Sequence, residues 1–80
     1  MQPGCGVYVS EVRNRRYAYF WHYEDAPGGR RRQRIEYMGP ADADATASRL
    51  RRAVEDYLAK AAQALEAERR RILAEIAVIG

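Results

Sequence analysis

Apolar and polar positions alternate with a period of two through the first forty residues, then recur at helical spacing to the end of the chain. The alternation divides into three stretches rich in β-branched and aromatic residues, at about Val7 to Arg13, Arg16 to Glu24 and Arg30 to Met38. Asn14-Arg15 between the first two reads as a tight two-residue turn, and Ala26-Pro27-Gly28-Gly29 as a four-residue loop. Gly39-Pro40 marks the change of period. The expected fold is α+β: a three-stranded antiparallel sheet over 7–39, followed by a long C-terminal α-helix over 41–79. Residues 1–6, with Pro3, Gly4 and Gly6, read as a loosely held start to a single domain.

Asp42, Asp44 and Thr46 are candidate helix caps. Beyond them, Leu50, Val54, Leu58, Ala61, Leu65, Ile72, Ile76 and Ile79 repeat at helical intervals, and no Gly or Pro occurs from 45 to 78. An uninterrupted helix of roughly 50 Å, at about 1.5 Å per residue, outruns a three-stranded sheet. Its distal part needs another partner. One solution is a break near Gln63 to Arg70 that folds the segment into a helical hairpin. The preferred one is a homodimer packed through Leu65, Ile72, Leu73, Ile76 and Ile79.

Successive strand residues point to opposite sides, so Tyr17, Tyr19, Trp21 and Tyr23 share one face while Ala18, Phe20 and His22 share the other. With the turn and loop as assigned, Val9 lies opposite Phe20 and Phe20 opposite Ile35. Val7, Val9, Ala18, Phe20, Ile35 and Tyr37 then form an apolar face for the helix. The other face carries Tyr8, Ser10, Tyr17, Tyr19, Trp21, Tyr23, Arg32 and Arg34, a surface of rings and guanidinium groups. A one-residue change in either loop count favours the opposite arrangement, with the aromatics packed as core beneath the helix.

Charge sharpens the picture. The net charge of +3 lies wholly in residues 1–40, where seven Arg face Glu11, Glu24, Asp25 and Glu36 (7 − 4 = +3); residues 41–80 balance seven basic against seven acidic side chains (7 − 7 = 0). Thirteen of the fourteen basic residues are Arg. A GC-rich genome produces such a ratio, but Arg also suits bidentate phosphate contact and stacking better than Lys. Arg13, Arg15, Arg16, Arg30, Arg31, Arg32 and Arg34 are therefore candidate phosphate contacts, and Tyr17, Tyr19, Trp21 and Tyr23 candidate base-stacking groups. On the helix, Arg49, Arg51 and Arg52 can extend the patch, while Arg69, Arg70 and Arg71 are offset by nearby acids and read as a solvated, ion-paired surface.

Other chemistry finds little support. His22, the only histidine, has no Cys or carboxylate partner at metal-ligand spacing and reads as a strand residue near the sheet edge. Ser10 and Ser48 lack a nucleophile elbow, and Gly28-Gly29 lacks the strand-loop-helix setting of a phosphate loop. Cys5 is the only cysteine, which excludes an intramolecular disulfide, and it reads as an exposed residue of no special reactivity. No metal, no cofactor and no enzymatic activity are expected. The absence of a long apolar run points away from a signal peptide or membrane span and toward a soluble, cytoplasmic protein.

The run Val7-Tyr8-Val9 through Arg32-Gln33-Arg34-Ile35-Glu36-Tyr37-Met38-Gly39-Pro40 resembles the small N-terminal β-rich segment of some transposases and archaeal integrase-like proteins. The resemblance covers about half the chain and implies DNA binding through Arg30 to Arg34 and the aromatics of the second strand. It also implies an accessory role in a mobile element or virus. Residues 41–79 read as a helix and not as a catalytic domain, so no recombinase activity is expected. The sequence thus leads to a small, non-enzymatic nucleic-acid-binding protein, DNA before RNA, acting as a homodimer. A single-stranded DNA or RNA ligand is the close variant, and a protein-interaction module with the strand aromatics as core is the alternative.

Overall fold

The computed structural model describes residues 4–80. Met1 to Pro3 of the expected loose start lie outside the described residues, whereas Cys5 and Gly6 are already in the first strand. The order is β1 (Cys5–Val12), β2 (Arg15–Ala26), β3 (Arg30–Pro40) and α1 (Asp44–Ile79). The three strands form one antiparallel sheet with β2 in the centre, and α1 packs on one side of it. This is the expected α+β arrangement. Within the described residues no helix is long and apolar enough to cross a membrane.

Both connections differ from expectation by one residue, with unequal consequences. The first turn is Arg13-Asn14, not Asn14-Arg15, with φ of 52° and 64°. Two left-handed residues match the right-handed twist of the flanking strands, and Asn tolerates that conformation at the second position. Val12 then pairs with Arg15, Val9 with Ala18 and Val7 with Phe20. The register has moved by two pairs, so every side chain in β1 and β2 keeps its expected face.

The second connection holds three residues, Pro27, Gly28 and Gly29, with φ of 83° at Gly28 and 74° at Gly29. Two glycines in the left-handed region close the hairpin one residue earlier, and Ala26 joins the ladder opposite Arg30. Trp21 therefore faces Ile35, Tyr19 faces Tyr37, and Phe20 faces Glu36. Odd loop parity turns β3 over. Ile35 and Tyr37 leave the helix side for the aromatic side, and Arg32 and Arg34 move the other way.

A bulge then inserts Met38, since Tyr19 pairs with Tyr37 but Ala18 with Gly39. Arg49 fixes the bulge by donating from Nη1 to the Met38 carbonyl at 2.6 Å. Gly39, with φ of 133°, sits directly under the first turn of α1, where a side chain would collide with Thr46 and Arg49. Thr46 is consequently buried on the Gly39 backbone. None of Asp42, Asp44 or Thr46 caps the helix by its side chain; the N-cap is Ala43, and Asp44 stands in the first turn, where the helix dipole favours an acid.

From there α1 crosses the sheet diagonally. Ala18, Phe20 and Ala61 form the buried apolar core. Tyr57 fills the space beside Phe20 and His22, at ring separations of 6.3 and 5.5 Å. Its hydroxyl donates to the Tyr23 carbonyl and accepts from the Gly4 amide, both at 3.2 Å, which ties the helix to the start of β1. The helix continues unbroken past Gln63–Arg70, so no helical hairpin forms, and every residue from Ala62 to Gly80 is exposed. About 27 Å of helix, at about 1.5 Å per residue, projects beyond the sheet.

Candidate nucleic-acid interface

Because α1 covers the Ala18–Phe20 side, the odd-numbered residues of β2 face away from it. Tyr17, Tyr19, Trp21 and Tyr23 line the centre of this uncovered face, with Tyr8 from β1 and Ile35 and Tyr37 from β3 beside them. Tyr8 stacks on Tyr19 at 5.0 Å with 15° between ring planes. Tyr37 leans on Tyr19 and Tyr17 at 5.6 and 6.1 Å, and Trp21 meets Tyr23 edge-on at 5.8 Å. The rings thus support one another from their edges. Tyr8 stays 40% exposed, Ile35 54% and Tyr37 56%, which leaves apolar surface open to solvent.

Two glycines make room for this layer. The Trp21 indole lies over Gly6, its cross-strand partner, and the Tyr23 ring lies against Gly4. The Arg31 guanidinium sits 4.6 Å from the Tyr23 centroid, a cation–π contact that holds a positive charge at the rim of the aromatic surface. Arg15 lies on the same face beside Val12 at the opposite end of β2. With about 3.3 Å per strand residue, Arg15 and the Asp25–Arg31 pair stand about 33 Å apart.

The remaining arginines are arranged otherwise. Arg13 lies in the β1–β2 turn, while Arg16, Arg30, Arg32 and Arg34 point to the helix side of the sheet. There Arg32 contacts Glu24 at 2.8 Å and Arg34 approaches the same oxygen at 3.7 Å. The hydrogen bond from Arg32 holds the Glu24 carboxyl below the usual range, and the Arg34 and Arg32 charges act in the same direction against partial desolvation. The expected surface of rings alternating with Arg32 and Arg34 is therefore corrected to an aromatic centre with Arg15 and Arg31 toward its ends. The cause is the shorter second loop.

His22 is likewise not an edge residue. It stands on the central strand, stacked on Phe20 at 5.2 Å, with Nε2 3.4 Å from the Glu36 carboxylate. Together with Phe20, Glu24, Glu36, Asp56, Tyr57 and Lys60 it lines a hollow of about 650 Å³ between α1 and the β2–β3 side of the sheet. Among the described residues no group of three His, Cys, Asp or Glu is placed to hold a metal ion. Cys5, expected in an exposed loop, is a half-buried free thiol at the start of β1.

Tyr37 and Ile35 are the members of the aromatic face that sequence reasoning assigned elsewhere. The available signal was the Gly28-Gly29 pair, whose positive φ values permit a three-residue connection. The opposition of Gly6 to Trp21 was also legible in principle, since a glycine across from a large ring offers it a seat. No protein-family model, no curated protein and no solved structure matches the chain.

Proposed function

We propose that this chain is a non-enzymatic, cytoplasmic nucleic-acid-binding protein, DNA before RNA, that receives its ligand on the aromatic face. One observation carries the reading: the helix packs on the opposite side of the sheet, so Tyr8, Tyr17, Tyr19, Trp21, Tyr23 and Tyr37 share an uncovered surface with Arg15 and Arg31 toward its ends. Rings that remain open on a rigid sheet offer stacking platforms for unpaired bases, and guanidinium groups at the rim bind phosphates through paired donors. The resemblance of residues 7–40 to the N-terminal segments of transposases fits the same reading and adds an accessory role in a mobile element or virus.

The placement of Arg32 and Arg34 on the helix side favours a single strand over a duplex. A sheet entering the major groove needs basic and polar side chains spread across the face that meets the base edges. Here the centre of that face is aromatic. Duplex DNA contacted through the Arg13–Arg16 and Arg30–Arg34 ends remains the second reading.

Fluorescence-anisotropy titrations with labelled single-stranded DNA, duplex DNA and RNA at two salt concentrations test the proposal, with Trp21 emission followed in parallel. The expected result is binding that weakens as salt rises, because phosphate contacts release counterions, together with a change in Trp21 emission. Single-stranded DNA should compete best. Failure of all three ligands to bind at low salt would overturn the proposal.

A further inference from the structure

β1 is an edge of the sheet, and among the described residues no strand pairs with its outer side. The Gly4 carbonyl accepts from the Tyr23 amide at 3.1 Å, and hydrogen-bonded residues alternate along an antiparallel pair, so Gly6, Tyr8 and Ser10 also bond to β2. Cys5, Val7, Val9 and Glu11 therefore turn their N–H and C=O groups outward. This edge lacks the usual guards: Cys5–Val12 holds no Pro, no Lys and a single charged residue, Glu11, and Val7, Tyr8 and Val9 remain 53%, 40% and 46% exposed. The opposite edge is guarded. There β3 carries Arg30, Arg31, Arg32 and Arg34, the bulge at Met38, and Pro40.

A row of outward amides and carbonyls is satisfied by another strand, and β1 is its own complement. A two-fold axis perpendicular to the sheet beside Tyr8 sets Val7 opposite Val9, Cys5 opposite Glu11 and Tyr8 opposite Tyr8 of the other copy. In this register every outward residue from Cys5 to Glu11 meets another outward residue, so the backbone bonds of the edge are all made. Such an axis also keeps each face of the sheet on its own side. Valine therefore meets valine on the helix side, and tyrosine meets tyrosine on the aromatic side. The two Glu11 carboxylates stand about 20 Å apart, at about 3.3 Å per strand residue, so no like charges oppose the pairing.

We propose that a second copy of this chain pairs with β1 in this antiparallel register and joins two three-stranded sheets into one of six strands. Tyr37, Tyr19 and Tyr8 already stand side by side across β3, β2 and β1. In the pair their row continues through Tyr8, Tyr19 and Tyr37 of the second copy and spans about 24 Å, at about 4.8 Å per strand. On the other side, Val7 and Val9 of both copies floor the strip between the two helices. Each α1 runs from the Arg16 end of the sheet, where the Ala41 amide donates to the Arg16 carbonyl, to the Gly4 end, where Tyr57 is held. The two-fold sends their projecting parts to opposite ends and leaves Leu65 and Ile72 outside the interface. Both outer edges of the joined sheet are the guarded β3, so assembly stops at an isologous dimer. The pairing does not depend on what the aromatic face binds.

Sedimentation equilibrium of the full chain tests the assembly. A mass twice the 9.2 kDa of one chain is expected. Val7→Lys/Val9→Lys sets lysines directly opposite one another across the axis and should sediment as a monomer while keeping the near-ultraviolet circular dichroism of Trp21. Both valines are exposed in the single chain, so loss of the dimer can be separated from loss of the fold. Leu65→Glu/Ile72→Glu should remain a dimer. Register is tested in a Cys5→Ser background. Tyr8→Cys should cross-link between chains under mild oxidation, because residues facing each other at a non-hydrogen-bonded pair lie about 4.5 Å apart between Cα atoms, within disulfide range. Val9→Cys should not, since its two copies stand about 8 Å apart. A monomer at every concentration, a dimer that survives Val7→Lys/Val9→Lys, or cross-linking through Val9→Cys in preference to Tyr8→Cys would overturn the proposal.

Discussion

The Trp21 indole occupies the place where a side chain on Gly6 would stand: a Cβ at that position would lie 2.7 Å from Cε2, Cζ2 and Nε1 of the ring. The two residues are cross-strand partners, so the absence of a side chain in β1 sets the height of the largest ring in β2. Gly6→Ala should lift the indole from the sheet at a cost of about 1–3 kcal/mol, the usual penalty for overpacking. The expected signs are a lower melting temperature, an altered Trp21 emission maximum and weaker binding to single-stranded DNA. Unchanged emission would show that the ring is not seated as described.

Tyr19 and Phe20 are adjacent in sequence and opposite in role. Tyr19→Ala should leave the chain folded and weaken single-stranded DNA binding by about 1–3 kcal/mol, the value of one stacked base. Tyr37→Ala should behave in the same way. Phe20→Ala removes a ring that is 3% exposed and should destabilise the domain by about 3–5 kcal/mol. Urea denaturation and anisotropy on the same three variants separate these outcomes. If Tyr19→Ala unfolds the chain as Phe20→Ala does, the aromatic face is structural.

The approach of Thr46 to Gly39 yields a third expectation. Gly39→Ala combines a backbone strain of about 1–3 kcal/mol at φ of 133° with a collision against Thr46 and Arg49, and should lose the docking of the first helical turn. Gly28→Ala meets nothing within 4 Å and carries only the left-handed penalty of about 1–2 kcal/mol. Amide exchange across residues 44–50 should accelerate in the first variant and not in the second.

Glu24 gives a pH dependence with a defined sign. Its carboxyl is held below the usual range, first by the Arg32 hydrogen bond. The ionised group therefore adds stability above its unfolded pKa, and that contribution is lost as pH falls through the lower folded value. Arg32→Gln should raise the Glu24 titration midpoint seen by carbon-detected NMR. The stability difference between wild type and variant should shrink as pH drops through the glutamate range. The group is exposed, so the effect on melting temperature should be small.

Much of this architecture was legible in residue order. The Tyr17 to Tyr23 alternation divided β2 into an aromatic and a core face, and the run without Gly or Pro from 45 to 78 set out a continuous helix. The first hairpin tolerated an error of one position in its turn because the resulting register moved by two. The second did not, since one residue fewer between β2 and β3 exchanged Arg32 and Arg34 for Ile35 and Tyr37.

The sequence by itself determined which side chains in one strand share a face, because the pleat has a period of two whatever surrounds it. Only the tertiary structure decided which faces of neighbouring strands coincide, and which of them the helix covers. Those relations depend on φ at Gly28 and Gly29, on the Met38 bulge and on the seat that Gly39 gives Thr46. Backbone angles of this kind cost little locally, so residue order constrains them weakly. The packing they permit over the whole sheet then selects among them.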